Sequence, residues 1–259
     1  MAGPLSRRCH GTLGFHDLFR QVIYPLQMSV PEPADAIEEV ASSLAALADP
    51  TRRRLYRFVA DAPGPVGREE AAEGVGVAVH TAKFHLDRLV EEGLLDVEFR
   101  RLTGRTGPGA GRPAKLYRRS EREVTLSIPP RHYDLLSQIL ARSVEAAVRE
   151  CAAVGEVLTR EAYQTGRTLG VEASTTEPDS LTRLAEQLRT QGYEPRIQDD
   201  RLLLENCPFD KLAKEHTELV CGLNVDFVAG MAAGLACTGV RVGLDPAPGR
   251  CCVRATRDA

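Results

Sequence analysis

Between residues 36 and 95, apolar positions recur at helical spacing. Ile37, Val40, Leu44 and Leu47 mark a first helix. Leu55, Phe58 and Val59 mark a second, opening at Asp49-Pro50, a capping residue followed by a first-turn proline. Residues 68–73 (REEAAE) predict a short third helix, with Gly74 near its end. Val79, Ala82, Leu86, Leu89 and Val90 then fall on one stripe of a fourth helix. Gly93 stops it, as a residue able to take a left-handed cap conformation. The period then changes: residues 95–101 and 114–119 read as two strands joined by the glycine-rich TGRTGPGAGRP.

Further along, Leu136, Leu140, Val144, Ala147, Cys151, Val154 and Leu158 recur at steps of three or four. They predict one continuous helix from His132, long enough to pair with a second copy or to pack on its own domain. Residues 166–178 read as a linker. Leu181, Leu184, Ala185 and Leu188 mark a helix ending at Gly192, and residues 193–198 and 201–205 a hairpin turning at Asp199-Asp200. Residues 208–216 predict a short helix and 218–235 a longer one. Val240, Val242 and Leu244 alternate as a strand, and residues 251–255 return beside it. The expected fold class is therefore α+β. Residues 1–35 are an extension, 36–128 a winged helix-turn-helix domain, 129–178 a linking and dimerisation helix with its linker, and 179–259 a small α+β sensor domain with cysteines.

Charge sharpens the reading of the first domain. The chain carries a net charge of −3, but residues 51–120 hold fourteen Lys/Arg against nine Asp/Glu. No acidic residue occurs between Glu98 and Glu121, a stretch rich in arginine. Such a local excess suits contact with phosphates. On the fourth helix, His80, Thr81, Lys83, Phe84 and Arg88 lie largely off the apolar stripe. A helix buried on one side and carrying polar, aromatic and cationic groups on the other can enter a DNA major groove. Thr81, Lys83, Phe84 and Arg88 are the expected groove contacts, with His80 at the entrance. Arg101, Arg105 and Arg112 are the expected wing contacts to phosphate. His85, beside the buried stripe, is expected either to join the groove contacts or to serve the fold. The expected partner is double-stranded DNA, and a homodimer would present two recognition helices to two half-sites.

Composition adds less. Seven cysteines, an odd number, and no secretory leader point to a reducing cytoplasm, and no apolar run is long enough to span a membrane. Met28 opens a Pro/Glu-rich lead into the first helix. Residues 1–27 therefore read either as a start placed too early or as a disordered extension. An enzymatic reading finds little: the glycine-rich stretch at 107–115 lacks the Gly-Lys-Ser/Thr of a phosphate loop, and neither HExxH nor a serine nucleophile elbow occurs.

Ala-Leu-Ala-Asp-Pro-Thr-Arg at 46–52 with its preceding Ala45, Thr-Ala-Lys-Phe-His-Leu-Asp-Arg-Leu at 81–89 and Glu-Glu-Gly-Leu-Leu at 91–95 resemble ArsR-like transcriptional regulators. The resemblance covers roughly residues 36 to 120 and implies a winged helix that binds DNA. Arsenic sensors of that family place cysteines in this domain, whereas no cysteine lies between Cys9 and Cys151 here. Direct thiolate sensing within the winged helix is not expected.

The remaining candidate chemistry is thiol chemistry. Cys207, Cys221, Cys237 and the pair Cys251/Cys252 all fall in the last domain. Alternation along an extended strand puts Cys251 on the face of Val253, and Cys252 on that of Arg250 and Arg254. Cys251 is therefore expected to point inward and Cys252 away. Asn-Cys-Pro-Phe at 206–209, Leu-Val-Cys at 219–221 and Gly-Arg-Cys-Cys at 249–252 resemble the C-terminal domain of SufR-type repressors, which bind an iron–sulfur cluster. That resemblance implies a cluster held by Cys207, Cys221 and Cys251 in a repressor. A fourth ligand would come from Cys237, Cys252, His216, a carboxylate or a small molecule. Three alternatives stay open: zinc in a tetrahedral Cys/His site, a small-molecule effector without metal, and buried thiols acting as small apolar residues.

Overall fold

The computed structural model describes residues 33–101, 113–173 and 175–258, with side chains from Val40 onward. Residues 1–32 of the expected extension, the side chain of Ile37, and Arg105 and Arg112 lie outside the described residues. The chain forms two compact units, with the boundary between Leu126 and Ser127.

The first unit contains α1 (Pro33–Ala46), α2 (Pro50–Asp61), β1 (Val66–Gly67), α3 (Arg68–Val75), α4 (Val79–Glu91), β2 (Leu95–Arg100) and β3 (Ala114–Arg119). The Asp49 carboxylate caps α2 by accepting from the Arg52 N–H at 2.8 Å. Gly76 ends α3 in the left-handed conformation. The strands form an antiparallel sheet in the order β1-β3-β2, with Val97 opposite Tyr117. Leu55, Val59, Ala82, Leu86, Leu89, Leu95 and Tyr117 form the core. Burying each leucine contributes about 1.5–3 kcal/mol.

Two predicted stripe positions depart from expectation. Val79 is 43% exposed and Leu44 is 45% exposed. Val79 is the first residue of α4, ahead of the turn that meets the core. On α1, the neighbouring Ser43 is buried instead, its hydroxyl donating to the Glu92 carbonyl at 3.1 Å.

The second unit contains α5 (Tyr133–Glu150), α6 (Val154–Glu172), α7 (Ser180–Thr190), β4 (Pro195–Gln198), β5 (Arg201–Leu204), α8 (Asp210–Glu215), α9 (Thr217–Gly234), β6 (Val240–Leu244) and β7 (Val253–Arg257). Its antiparallel sheet has the order β4-β5-β7-β6, so the second strand of each hairpin lies at the centre. Helix α7 packs on β4, β5 and β7, while α9 packs on β6, β7 and α6.

The helix expected from His132 to Leu158 is broken. Cys151 takes a left-handed conformation (φ 52°) and ends α5, and α6 starts at Val154. Ala146, Ala147 and Val157 pack across the turn, so the apolar spacing continues through a bend that it does not signal. The inner face of these helices packs on its own domain, one of the two expected roles. Leu136, Ile139, Leu158 and Ala162 belong to the same core as Leu181, Phe209 and Phe227. Residues 166–172 are helical, and their glycines pack rather than turn. A Cβ on Gly166 would lie 2.0 Å from the Phe227 carbonyl oxygen, and one on Gly230 would lie 2.0 Å from that of Tyr163. Gly170 and Gly234 repeat the arrangement one turn further along each helix. Helices α6 and α9 therefore run parallel in backbone contact.

Candidate functional site

On α4, Ala82, Leu86 and Leu89 turn inward, leaving His80, Lys83 and Phe84 exposed and Thr81 partly so. Phe84 leaves 66% of its surface to solvent. This is the face that sequence reading assigned to the groove. Arg88 is already engaged, however: its guanidinium pairs with Glu91 at 3.1 Å and with Glu92 at closer range. His85 is half-buried and serves the fold, accepting at Nδ1 from Arg52 Nε at 3.4 Å and meeting the Phe84 ring edge-on.

Asp87 joins this helix to the wing. Its Oδ1 accepts from Lys115 Nζ at 2.5 Å and from the Tyr117 hydroxyl at 2.8 Å. Although burial opposes it, these two donors hold the Asp87 carboxyl below its ordinary range. Beyond that anchor the wing carries exposed Phe99, Arg100 and Arg101. Exposed Arg53, Arg54 and Arg57 on α2 add cations that the sequence reading did not single out. Their signal was visible in the triple arginine at 52–54.

In the second unit, thiols from three separate segments meet at one end of the sheet. Cys207 follows β5, Cys251 and Cys252 precede β7, and Cys221 sits in the second turn of α9. The Cys251 N–H donates to the Leu204 carbonyl at 2.9 Å, carrying the β5–β7 pairing up to the site. The Cys251 thiol donates to Cys207, which lowers the Cys207 pKa; the Phe209 N–H and the charge of Arg131 act in the same direction, against burial. Cys251 is raised by that same hydrogen bond and by burial. Cys221 is pushed up to about 12, chiefly by burial and next by its hydrogen bond with Cys252.

The expectation that Cys252 points away is corrected. Residues 251 and 252 precede β7 in irregular backbone, where strand alternation does not govern direction. Cys237 lies apart. It follows the far end of α9, which at 1.5 Å per residue is roughly 20 Å from Cys221. There it donates to the Ser180 carbonyl at 3.3 Å. His216 occupies the position before α9 without a side-chain capping bond, and is exposed.

A buried polar chain supports the thiols. Tyr193 donates its hydroxyl to Asn224 Oδ1, and Asn224 Nδ2 donates to Cys251 Sγ at 3.3 Å. Asn224 is 1% exposed. Asn224 carries no sequence signal, because an isolated polar residue in an apolar helix has no local pattern. Among the described residues, no three His, Cys, Asp or Glu side chains already form a position for a single metal ion. The thiols adjoin in pairs.

A family model described as a helix-turn-helix domain matches residues 47–98. The chain carries the DNA-binding domain of a transcriptional regulator. The match spans α2 to β2 and includes the exposed face of α4. Neither a curated protein nor a solved structure matches the chain. No helix among the described residues is long and apolar enough to cross a membrane.

Proposed function

We propose that this regulator is a homodimeric repressor whose C-terminal thiols hold an iron–sulfur cluster, and that cluster occupancy sets its affinity for operator DNA. The adjoining of Cys207 with Cys251 and of Cys221 with Cys252 carries the reading. Cys207, Cys221 and Cys251 are the ligands expected from the SufR resemblance, and the geometry favours Cys252 over Cys237 as the fourth. Soft thiol donors fit iron and sulfide, and a bound cluster would supply a redox-active, oxidation-labile centre. Zinc, which takes four ligands at about 2.0–2.3 Å from one point, is the alternative metal for the same thiols, and the SufR resemblance favours the cluster over it. Asn224 and Tyr193 would fix the Cys251 sulfur, as outer hydrogen bonds orient metal ligands.

DNA contact would come from Thr81, Lys83 and Phe84 on α4, with His80 at its entrance and wing arginines on phosphates. Arg88 would have to leave Glu91 and Glu92 to take part. For the dimer, Ser137, Ala141, Val144 and Val148 lie exposed at steps of four and three along α5. That spacing would suit a coiled-coil seam.

The test uses full-length protein purified anaerobically, with iron, sulfide and zinc measured per chain. Duplex DNA selected by this protein from a random library is then titrated at fixed dimer concentration. Holo protein should bind more tightly than apo protein by a coupling of roughly 1–3 kcal/mol. Cys→Ser at 207, 221 or 251 should abolish the difference. Equal affinity for all of them, with a cluster verified in the holo sample, would overturn the reading.

A further inference from the structure

The loop that presents Cys207 is tied to the place where the chain enters the second unit. Arg131, two residues before α5, donates from Nη1 to the Cys207 carbonyl at 3.0 Å and to Asn206 Oδ1. Its other terminal nitrogen faces the Asp210 carboxylate at 3.8 Å. Asn206 answers in the opposite direction, donating Nδ2 to the Pro130 carbonyl at 3.0 Å and to the Gly192 carbonyl at 2.7 Å. The backbone repeats the link: the His132 N–H donates to the Pro208 carbonyl at 3.2 Å, and the Lys211 N–H to the Tyr133 hydroxyl at 3.3 Å. Residues 130–133 are therefore fastened to residues 206–211 from both sides.

The Arg131 side chain is 18% exposed, and its guanidinium spans a carbonyl, an amide oxygen and a carboxylate. A planar fork of fixed donors suits this multiple engagement, which a lysine ammonium cannot reproduce. Any displacement of the Cys207 backbone must move Arg131 or break its bonds. Residues 127–130 lead directly from that point back to the DNA-binding unit.

We infer that Arg131 is a positioning residue for Cys207, and that the Arg131–Asn206 clasp transmits the state of the thiol site to the chain leading to the DNA-binding unit. The inference rests on the proposed cluster and names the element through which it acts. Cluster binding draws on Cys207 and sets the loop, the loop sets residues 130–133, and these bias the connection to the winged helix. Coupling through a short bonded segment requires that the segment differ between the two states.

The experiment compares wild type, Arg131→Ala and Arg131→Lys as full-length proteins, each with and without anaerobic loading of iron and sulfide. Three quantities are read: iron and sulfide per chain, the ratio of holo to apo affinity for the library-selected duplex, and amide exchange at His132 and Lys211. In wild type, loading should slow exchange at both amides and change affinity by roughly 5- to 150-fold. In Arg131→Ala the cluster should still load, while the affinity ratio falls to within about 2-fold of unity and loading no longer alters exchange at His132. Arg131→Lys, which keeps a cation near Asp210, should be intermediate, and it decides the matter if the alanine variant fails to fold. A full wild-type ratio and exchange response in a folded, loaded variant would overturn the clasp alone. A wild type that loads no cluster, or whose ratio is unity, would overturn the proposed function and the clasp with it.

Discussion

Phe84 leaves 66% of its surface to solvent, whereas Cys251 keeps 2%. The contrast between these residues runs through the two units. In the first, the candidate chemistry faces outward from α4, a single helix whose inner stripe is Ala82, Leu86 and Leu89. In the second, the chemistry faces inward and is assembled from the end of β5, the second turn of α9 and the approach to β7. DNA contact needs side chains that stand clear of a core, so they appear as departures from a helical period. A thiol site needs shelter and several donors, so it depends on pairings between distant segments, such as Cys251 N–H to the Leu204 carbonyl.

The largest way to separate the units is through the glycines of α6 and α9. Gly230→Val would drive a side chain into the Tyr163 carbonyl, where even a Cβ would lie 2.0 Å away. Overpacking of this kind costs about 3 kcal/mol, the upper end of the usual range, because backbone rather than a movable side chain opposes it. Urea unfolding followed by circular dichroism should show a transition of the second unit moved to lower denaturant. Binding to random-sequence duplex DNA, which the winged helix supports, should persist at low urea. Loss of both together would show that the units are not separable in this way.

A smaller effect tests the outward face. Lys83→Ala should cost about 1–3 kcal/mol of discrimination for the library-selected duplex over random DNA if Lys83 contacts a base edge. Arg88→Ala should cost less, since Arg88 is held by Glu91 and Glu92. The comparison is a competition titration at one salt concentration, with thiol accessibility to an alkylating reagent as the control for the second unit. A larger loss from Arg88→Ala than from Lys83→Ala would reverse the assignment.

The same contrast explains what was legible in the sequence. The bounds of α2 and α4 and the wing strands follow from caps and periods within a dozen residues, and Gly93 does take a positive φ. Cys151 escaped because the apolar steps continue across a bend. Gly166 and Gly170 read as linker because glycine signals turns, whereas here it permits two helix backbones to touch. Cys252 was misdirected because strand alternation was extended two residues too far, into irregular chain. Asn224 and Arg131 were invisible, since their partners lie 27 and about 76 residues away.

Each unit also has a helix capped by an aspartate, and acid should distinguish the two. Asp49 caps α2, and the Arg52 N–H is the chief cause that holds its carboxyl below the usual range. Asp179 caps α7 by accepting from the Thr182 N–H at 2.9 Å, and its other oxygen pairs with Arg257 at 2.5 Å. Its pKa is lowered to about 2, first by the Thr182 N–H and then by Arg257. A carboxyl whose folded pKa lies below its unfolded value stabilises the fold above the unfolded pKa, and that contribution is lost as pH falls through the folded pKa. For Asp179 the loss runs from the ordinary value of 3.8 down to about 2. Asparagine is an equally good cap but carries no charge. Asp179→Asn should therefore remove part of the acid sensitivity of the second unit while leaving α7 formed. Asp49→Asn should change the first unit less, since among the described residues no cation forms an ion pair with Asp49 as close as that of Arg257 with Asp179. Thermal melts at steps from pH 5 to about 2 would measure both slopes. An unchanged slope for Asp179→Asn would mean that neither the Thr182 N–H nor Arg257 favours the charged form of Asp179 in solution.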